Sequence, residues 1–161
     1  MSESAKDVHS ANTVLFLCSG NYYRSRFAEE LFNHMAAAHC RPWKAVSAGL
    51  NLNPNNSGPV SDLVLHRLEK LNISPLHGDR FPRPAESFDL AGAGIVVAMS
   101  HKEHYGLMRR IFPGFVSSAR FWHVQDTDEM TPAEALTAIE ERVADLVEQL
   151  HNGRAGLPGD A

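Results

Sequence analysis

The sequence predicts an α/β fold in which a single domain is built on a four-stranded parallel sheet with helices on both faces. Short apolar segments alternate along the chain with longer segments whose apolar residues recur at helical spacing, the pattern of a parallel sheet and its covering helices. The 161 residues are 43% hydrophobic, which is ample for one core, and a second domain is not expected.

Four short segments are predicted as strands because they are apolar and lie between turn-forming or helical segments. The third of them is apolar throughout, as expected for a strand that is buried on both faces. The predicted strands are 13–17, 43–46, 94–99 and 119–123.

Four longer segments are predicted as helices because each shows one apolar face. Ser100 and Glu103 form a predicted capping box at the start of the third helix, and Thr131 and Glu134 form another at the start of the fourth. A loop rich in Asn, Pro and Gly, residues 51–58, precedes the second helix. The predicted helices are about 25–39, 60–71, 101–112 and 132–150.

The first strand ends in Cys18, and Arg24 follows six positions later, where the first helix begins. The five residues between them can curl the backbone so that its N–H groups converge on the sulfur and on a bound oxyanion. Gly20 and Asn21 accept the positive φ that such a turn needs, and the Ser25 hydroxyl can donate to the sulfur. We therefore predict Cys18 as a nucleophile and a phosphate-binding loop formed by Ser19, Gly20, Asn21, Tyr22, Tyr23, Arg24 and Ser25.

A thiolate nucleophile depends on such a loop because a free cysteine thiol, with a pKa of ~8.5, is mostly protonated at neutral pH. Lowering that pKa by about three units takes roughly 4 kcal/mol, whereas a helix dipole supplies about 0.3–1 kcal/mol. A bare Cys-x5-Arg spacing would favour a buried structural cysteine. Gly20 and Asn21 inside the loop, with Ser25 after the arginine, favour the nucleophile instead.

A second loop, after the predicted fourth strand, carries Asp126 and Asp128. In a parallel sheet the carboxyl ends of the strands meet at one edge, so we expect this loop near Cys18. Phosphoryl transfer to sulfur leaves an oxyanion that needs a proton, and a positioned carboxylic acid speeds such a step by typically ~10²–10⁴-fold. From position alone, either Asp126 or Asp128 could be the acid that donates this proton.

Residues 14–25, VLFLCSGNYYRS, resemble the signature of the low-molecular-weight protein tyrosine phosphatase family. Further matches follow in the family's order, so that the resemblance covers about residues 13–150. It implies a sheet with the strand order 2-1-3-4. The further matches are Ser47-Ala48-Gly49, His77-Gly78-Asp79-Arg80, and Phe88-Asp89 leading to 96–99.

The resemblance implies a phosphate-monoester hydrolase, most specifically a protein tyrosine phosphatase that needs no metal and no cofactor. Cys18 would form a phosphocysteine, and Asp126, at the family's general-acid position, would protonate the leaving oxygen and then activate water. Arg24 and the loop amides would hold the phosphate oxygens. The substrate would be a phosphorylated protein or a small aryl phosphate, and phosphate or sulfate would bind the loop. The residues expected to brace the loop are Ser25, Asn21, Ser47 and His77.

The chain departs from the family pattern around the loop. Tyr23 stands where the family often has a second cysteine, so we expect no protective disulfide there. Tyr22 replaces an aliphatic residue or Thr, and we expect it at the rim of the site. Arg26 replaces a proline and is expected either in solvent or facing anionic substrates. Thr127 replaces the proline after the general acid, and residues 127–129 replace the family's aromatic pocket wall, which leaves the preference for phosphotyrosine open.

Three alternatives follow from these departures. A phosphoarginine phosphatase has similar chemistry, although Tyr22 in place of a small Thr argues against it. The altered acid loop also fits a non-catalytic phosphate-binding module, while the retained Cys18 argues for turnover. An arsenate reductase is less favoured because Cys40 is the only other cysteine, and we expect it to be a buried apolar residue.

Composition agrees with a single soluble enzyme domain. The formal net charge of −4 gives no general attraction to nucleic acid or to an anionic membrane. We expect flexible tails at 1–11 and 152–161, a domain at 12–151, and a cytoplasmic, reducing location, since there are two cysteines and no apparent export signal. His101 and His104 share a helix face, but two imidazoles are a weak metal signal.

Overall fold

The computed structural model describes residues 11–153 and shows a four-stranded parallel sheet in the order β2-β1-β3-β4. This order and the α/β class are the predicted ones. The predicted tails lie almost wholly outside the described residues. The strands are β1 (Thr13–Cys18), β2 (Lys44–Gly49), β3 (Ile95–Ala98) and β4 (Arg120–Phe121).

β1 lies inside the sheet and pairs with a parallel strand on each side. Leu15 lies opposite Val46 of β2 and Val96 of β3, and all six residues of β1 are buried. A strand that is paired at both edges and covered on both faces can consist of apolar residues throughout, which explains the run VLFL. Cys18 is the last residue of β1 and lies at the carboxyl edge of the sheet.

Six helical segments surround the sheet in the described part of the chain. The α-helices are α1 (Arg24–His39), α2 (Asp62–Lys70), α3 (Ser87–Gly92), α4 (His101–Ile111) and α5 (Pro132–His151), and a 3₁₀ helix covers Pro113–Ser118. α1, α2 and α5 enclose one core with Phe16 of β1, while α3 and α4 enclose another with Leu15 on the opposite face.

Two of the predicted strands differ from the structure by two or more residues at one end. β2 runs three residues beyond the predicted 43–46, because Ser47-Ala48-Gly49 continues to pair with β1 as far as Cys18. β4 is shorter than the predicted 119–123, because only Arg120 and Phe121 pair with β3.

One of the two predicted capping boxes is complete. Thr131 accepts from the backbone N–H of Glu134, whose carboxylate accepts from that of Thr131. At α4, Ser100 accepts from the backbone N–H of Glu103 at 3.2 Å. The Glu103 carboxylate does not return to Ser100, because it is bound to Arg24. The second box is therefore half formed.

No helix within residues 11–153 is both long enough and apolar enough to span a bilayer.

Candidate active site

The loop between β1 and α1 begins at Cys18 and ends at Arg24, both of which are about 2% exposed. Asn21 takes the positive φ, 52°, that the turn needs. Gly20, expected to do the same, does not, so that expectation was wrong. The glycine that the turn requires is Gly49, opposite Cys18: a Cβ there would lie 2.7 Å from the carbonyl oxygen of Ser19.

Asn21 fixes this conformation through its side chain. Its Nδ2 donates to the hydroxyl of Ser25 at 3.0 Å and to that of Ser47 at 2.9 Å, and its Oδ1 accepts from the backbone N–H of Arg83. Ser25 Oγ lies 3.0 Å from the sulfur of Cys18. Because Ser25 accepts from Asn21, its own proton is free to point at the sulfur. The sequence-predicted residues Asn21, Ser25 and Ser47 therefore form one chain of contacts to the sulfur of Cys18.

Ser47 connects the loop to an ion pair whose carboxylate is buried. Its hydroxyl donates to Glu29 of α1 at 2.5 Å, and Arg80 donates to Glu29 at 2.6 and 3.0 Å and to Ser47 at 3.1 Å. Glu29 is fully buried. Paired charges with several hydrogen bonds can be held there, whereas either alone would be costly. The loop is thus anchored to α1 and to the chain around Arg80.

His77 contacts this region through its main chain. Its carbonyl oxygen accepts from Arg26 at 2.8 Å, and its N–H donates to the carboxylate of Glu30 at 2.8 Å. These bonds belong to the backbone of His77, so its imidazole is not the group that forms them. Bracing of the loop by that imidazole stays a prediction.

Arg26 is neither in solvent nor facing a substrate, and both expectations for it were wrong. Only 1% of the residue is exposed, and it donates to the carbonyl oxygens of Asn21, Pro59 and His77. Burial, together with the nearby charge of Arg80, lowers its pKa. Arg26 therefore connects the loop between Cys18 and Arg24 to the loops that contain Pro59 and His77.

Arg24 is bound by a residue that the sequence did not identify as part of the site. Glu103 of α4 accepts from both terminal nitrogens of the guanidinium at 2.9 Å, and Nη1 also donates to the carbonyl oxygen of Val124 at 2.8 Å. Burial acts to raise the pKa of Glu103, but the hydrogen bonds and charge of Arg24 outweigh it and the pKa is lowered. Glu103 had been assigned only to the capping box.

Asp126 lies beside Arg24, with Oδ2 3.9 Å from Nη2. Its backbone N–H donates to Glu103 at 3.1 Å, and its Oδ1 accepts from the N–H of Thr127 at 2.8 Å. Asp126 lines the pocket above Cys18, whereas Asp128 is exposed and is not among the lining residues. The geometry favours Asp126 of the two sequence-predicted aspartates.

His104 is the second residue of the site that the sequence did not identify. Its Nδ1 accepts from the backbone N–H of Ser100 at 3.1 Å, so the ring proton sits on Nε2 and points to Ser19 Oγ, 3.0 Å away. Burial and the nearby charge of Arg24 lower its pKa to about 4. The sequence indicates His101 and His104 only as a weak metal pair, and no group of three potential metal ligands occurs among the described residues.

The mouth of the pocket is polar. Tyr22 donates from its hydroxyl to the carbonyl oxygen of Ser57 at 2.5 Å, which holds it at the rim as predicted. The hydroxyl of Tyr23 is buried without a hydrogen-bond partner in the described chain, and burial raises its pKa. The pocket is lined by Cys18, Ser19, Gly20, Tyr22, Tyr23, Arg24, Asn51, Asn53, Asn56 and Asp126.

Cys40 lies far from the nucleophile. α1 begins at Arg24, at the end of the loop that starts at Cys18, and Cys40 follows the last residue of α1. The 16 residues of this helix, roughly 24 Å in length, therefore lie between the two cysteines. Cys40 is buried, as expected, and both cysteines are free.

Comparisons with known proteins identify the family of the chain. Residues 13–155 match the family model described as low molecular weight phosphotyrosine protein phosphatase. No curated protein matches the chain in sequence.

Solved structures share the fold. The low molecular weight protein tyrosine phosphatase of T. tengcongensis superposes with a TM-score of 0.70 at 27% identity, covering 88% of this chain and 98% of that one. Vibrio vulnificus Wzb in complex with benzylphosphonate has a TM-score of 0.71 at 16% identity, covering 86% and 99%. The YwlE arginine phosphatase from Geobacillus stearothermophilus has a TM-score of 0.70 at 18% identity, covering 88% and 94%. The chain belongs to the low molecular weight phosphotyrosine protein phosphatase family.

Proposed function

We propose that this protein hydrolyses phosphate monoesters through a phosphocysteine on Cys18, with Asp126 as general acid and base. The observation that carries the proposal is that one pocket is lined by the thiol of Cys18, the guanidinium of Arg24 and the carboxyl group of Asp126. These are the nucleophile, the oxyanion-binding group and the proton donor that the reaction requires.

In the first step the Cys18 thiolate attacks phosphorus, the S–P bond forms, and the P–O bond to the leaving group breaks. Asp126 gives its proton to the leaving oxygen. In the second step Asp126 takes a proton from water, whose oxygen attacks phosphorus and releases inorganic phosphate and the thiolate. Ser25, 3.0 Å from the sulfur, can donate to the thiolate and improve it as a leaving group. Arg24 and the loop amides hold the equatorial oxygens throughout.

We propose a phosphotyrosine side chain or another aryl phosphate as the substrate. The pocket offers two tyrosine rings, Tyr22 and Tyr23, beside the nucleophile. A structural neighbour is a complex with benzylphosphonate, which joins an aromatic ring to a phosphonate.

Phosphoarginine is the second candidate. A structural neighbour is an arginine phosphatase, and the pocket lining includes Asn51, Asn53 and Asn56, whose amide oxygens can accept from a guanidinium. Peptides bearing phosphotyrosine or phosphoarginine, compared at equal concentration by phosphate release, distinguish the two. We expect the higher kcat/KM for phosphotyrosine, and a higher value for phosphoarginine would reverse the assignment.

The nucleophile is tested by Cys18→Ser. Hydrolysis of para-nitrophenyl phosphate, measured at mildly acidic pH with reductant and chelator, should fall to background because a serine hydroxyl is not ionised there. The variant should still bind inorganic phosphate in calorimetry, since Arg24 and the loop remain. Appreciable residual hydrolysis would contradict the covalent mechanism. An inactive wild type that binds phosphate would instead indicate a binding module.

The acid is tested by comparing Asp126→Asn with Asp128→Asn. We expect Asp126→Asn to lower kcat for phenyl phosphate by about 10²–10⁴-fold, the usual contribution of a general acid. Asp128→Asn, a matched change two residues away on the exposed part of the loop, should stay within about twofold, as expected of a group outside the pocket. The opposite order would assign the acid to Asp128.

We further propose that the protein acts in a reducing, cytoplasmic setting, where Cys18 remains a thiol or thiolate.

A further inference from the structure

The Glu103 carboxylate occupies a position that helix capping does not explain. It belongs to the first turn of α4, yet it accepts from Arg24 across 79 residues of sequence rather than from its own helix. The Arg24 side chain, which is 3% exposed, lines the pocket, whereas the Glu103 side chain, which is 24% exposed, contacts Arg24 without lining the pocket.

The contacts of Arg24 decide which of its hydrogens remain for a ligand. Nη1 donates to Glu103 and to the carbonyl oxygen of Val124, which uses both of its hydrogens. Nη2 donates one hydrogen to Glu103. Within residues 11–153 the second hydrogen of Nη2 and the single hydrogen of Nε form no hydrogen bond, since Asp126 Oδ2 lies 3.9 Å from Nη2; these two hydrogens lie along one edge of the guanidinium. That edge has the geometry for two parallel bonds to a phosphate group.

The same carboxylate also holds the acid loop. Oε2 of Glu103, which accepts from Arg24, also accepts from the backbone N–H of Asp126 at 3.1 Å. One side chain therefore sets the position of the oxyanion-binding group relative to the proton donor. No proline follows Asp126, and its carboxyl group is half exposed, so this backbone bond is one of the restraints on the acid, beside the bond from the N–H of Thr127 to its Oδ1.

We propose that Glu103 is a positioning residue for the reaction, which turns the free edge of Arg24 toward the phosphate and keeps Asp126 within reach of the leaving oxygen. This inference rests on the proposed function. The contrasting view is that Glu103 only neutralises a buried arginine, in which case all substrates should respond equally to its replacement.

The test uses Glu103→Gln with Glu129→Gln as the matched control. Glu129 lies on the loop that carries Asp126, but its carboxylate pairs with the exposed Lys102 at 2.6 Å and lies outside the pocket. kcat and KM are measured for aryl phosphates whose leaving phenols span a wide range of pKa, because a misdirected acid harms poor leaving groups most. Circular dichroism and the melting temperature establish that each variant is folded.

We expect Glu103→Gln to lower kcat/KM by about 10- to 100-fold for phenyl phosphate and by less for activated esters, so that the rate depends more steeply on leaving-group pKa. Glu129→Gln should stay within about twofold for every substrate. A folded Glu103→Gln variant with wild-type rates, or with an equal loss for all leaving groups, would overturn the proposal.

Glu103→Asp keeps the test decisive if the glutamine variant does not fold. Aspartate retains the negative charge but is one methylene shorter, so it cannot reach both Arg24 and the N–H of Asp126 as Glu103 does. We expect the steeper leaving-group dependence to appear in this variant too, whereas a purely neutralising role predicts wild-type behaviour. If the wild-type protein itself shows no turnover, the proposed function is rejected. The role of Glu103 is rejected by variants compared with an active wild type.

Discussion

At the scale of single residues, His104 shows how the environment sets a charge. The ring is fully buried between Ser100 and Ser19, and the charged groups that act on it are Arg24, Glu103 and Asp126. Its Nδ1 is already an acceptor, so protonation would break the bond to the Ser100 N–H. The neutral ring is therefore the form that the folded protein holds.

A pH dependence of stability follows. The pKa of His104 is lowered from 6.5 to about 4 in the folded state, so between these values the unfolded chain binds the extra proton. The contribution of the neutral His104 ring to the free energy of unfolding is present above pH 6.5. It is lost as the pH falls toward 4, at up to about 1.4 kcal/mol per pH unit. We expect His104→Asn, which keeps an acceptor near Nδ1, to flatten this loss in denaturant unfolding measured from pH 7 to 4. An unchanged slope would contradict the assignment.

At the scale of elements, α5 supplies much of the core on one face of the sheet. Its buried residues recur at helical spacing, and Ile139 at its middle is fully buried in the cluster that includes Phe16 and Phe27. We predict that Ile139→Ala lowers the free energy of unfolding by about 2–5 kcal/mol, because it leaves a cavity in a packed core. The control Glu141→Ala, on the exposed face, should change it by less than about 0.5 kcal/mol. Equal effects in urea titrations would show that α5 does not carry this core.

The elements that could be predicted from sequence are those with a clear period or motif. β1 is a continuous apolar run, and α1 and α5 are long enough for an apolar face to stand out. α3 was missed because its six residues are too few to show a period and its cap is Glu86, which is not among the residues favoured there.

The site divides in the same way. The loop from Cys18 to Arg24 could be recognised because its parts are adjacent in sequence. Glu103 and His104 could not, because their partners Arg24 and Ser19 lie 79 and 85 residues away and no local pattern connects them. Arg26 was misjudged for a related reason: a charged residue on a first helical turn is usually exposed, and only the arrival of the loops at Pro59 and His77 buries it.

At the scale of the whole molecule, the apolar and polar interiors occupy different places. Two apolar cores lie on the faces of the sheet, while the buried polar groups cluster beyond the carboxyl end of β1. α1 brings Glu29 to this cluster, the chain after β2 brings Arg80, and α4 brings Glu103. Each of these three segments therefore contributes a hydrogen-bonded side chain that holds the loop between Cys18 and Arg24.

The placement of Cys18 at the end of β1 has a consequence for the protein's motions. β1 is paired along its length with β2 and across four residues with β3, and it is buried throughout. Backbone amides in such a strand exchange with deuterium only when the molecule opens globally, whereas chain ends and exposed loops exchange through small local openings. We therefore expect the sulfur to be attached to a slowly exchanging segment and Asp126 to a faster one. Fluctuations that admit substrate and release phosphate can occur on the side of Asp126 while the nucleophile stays in place.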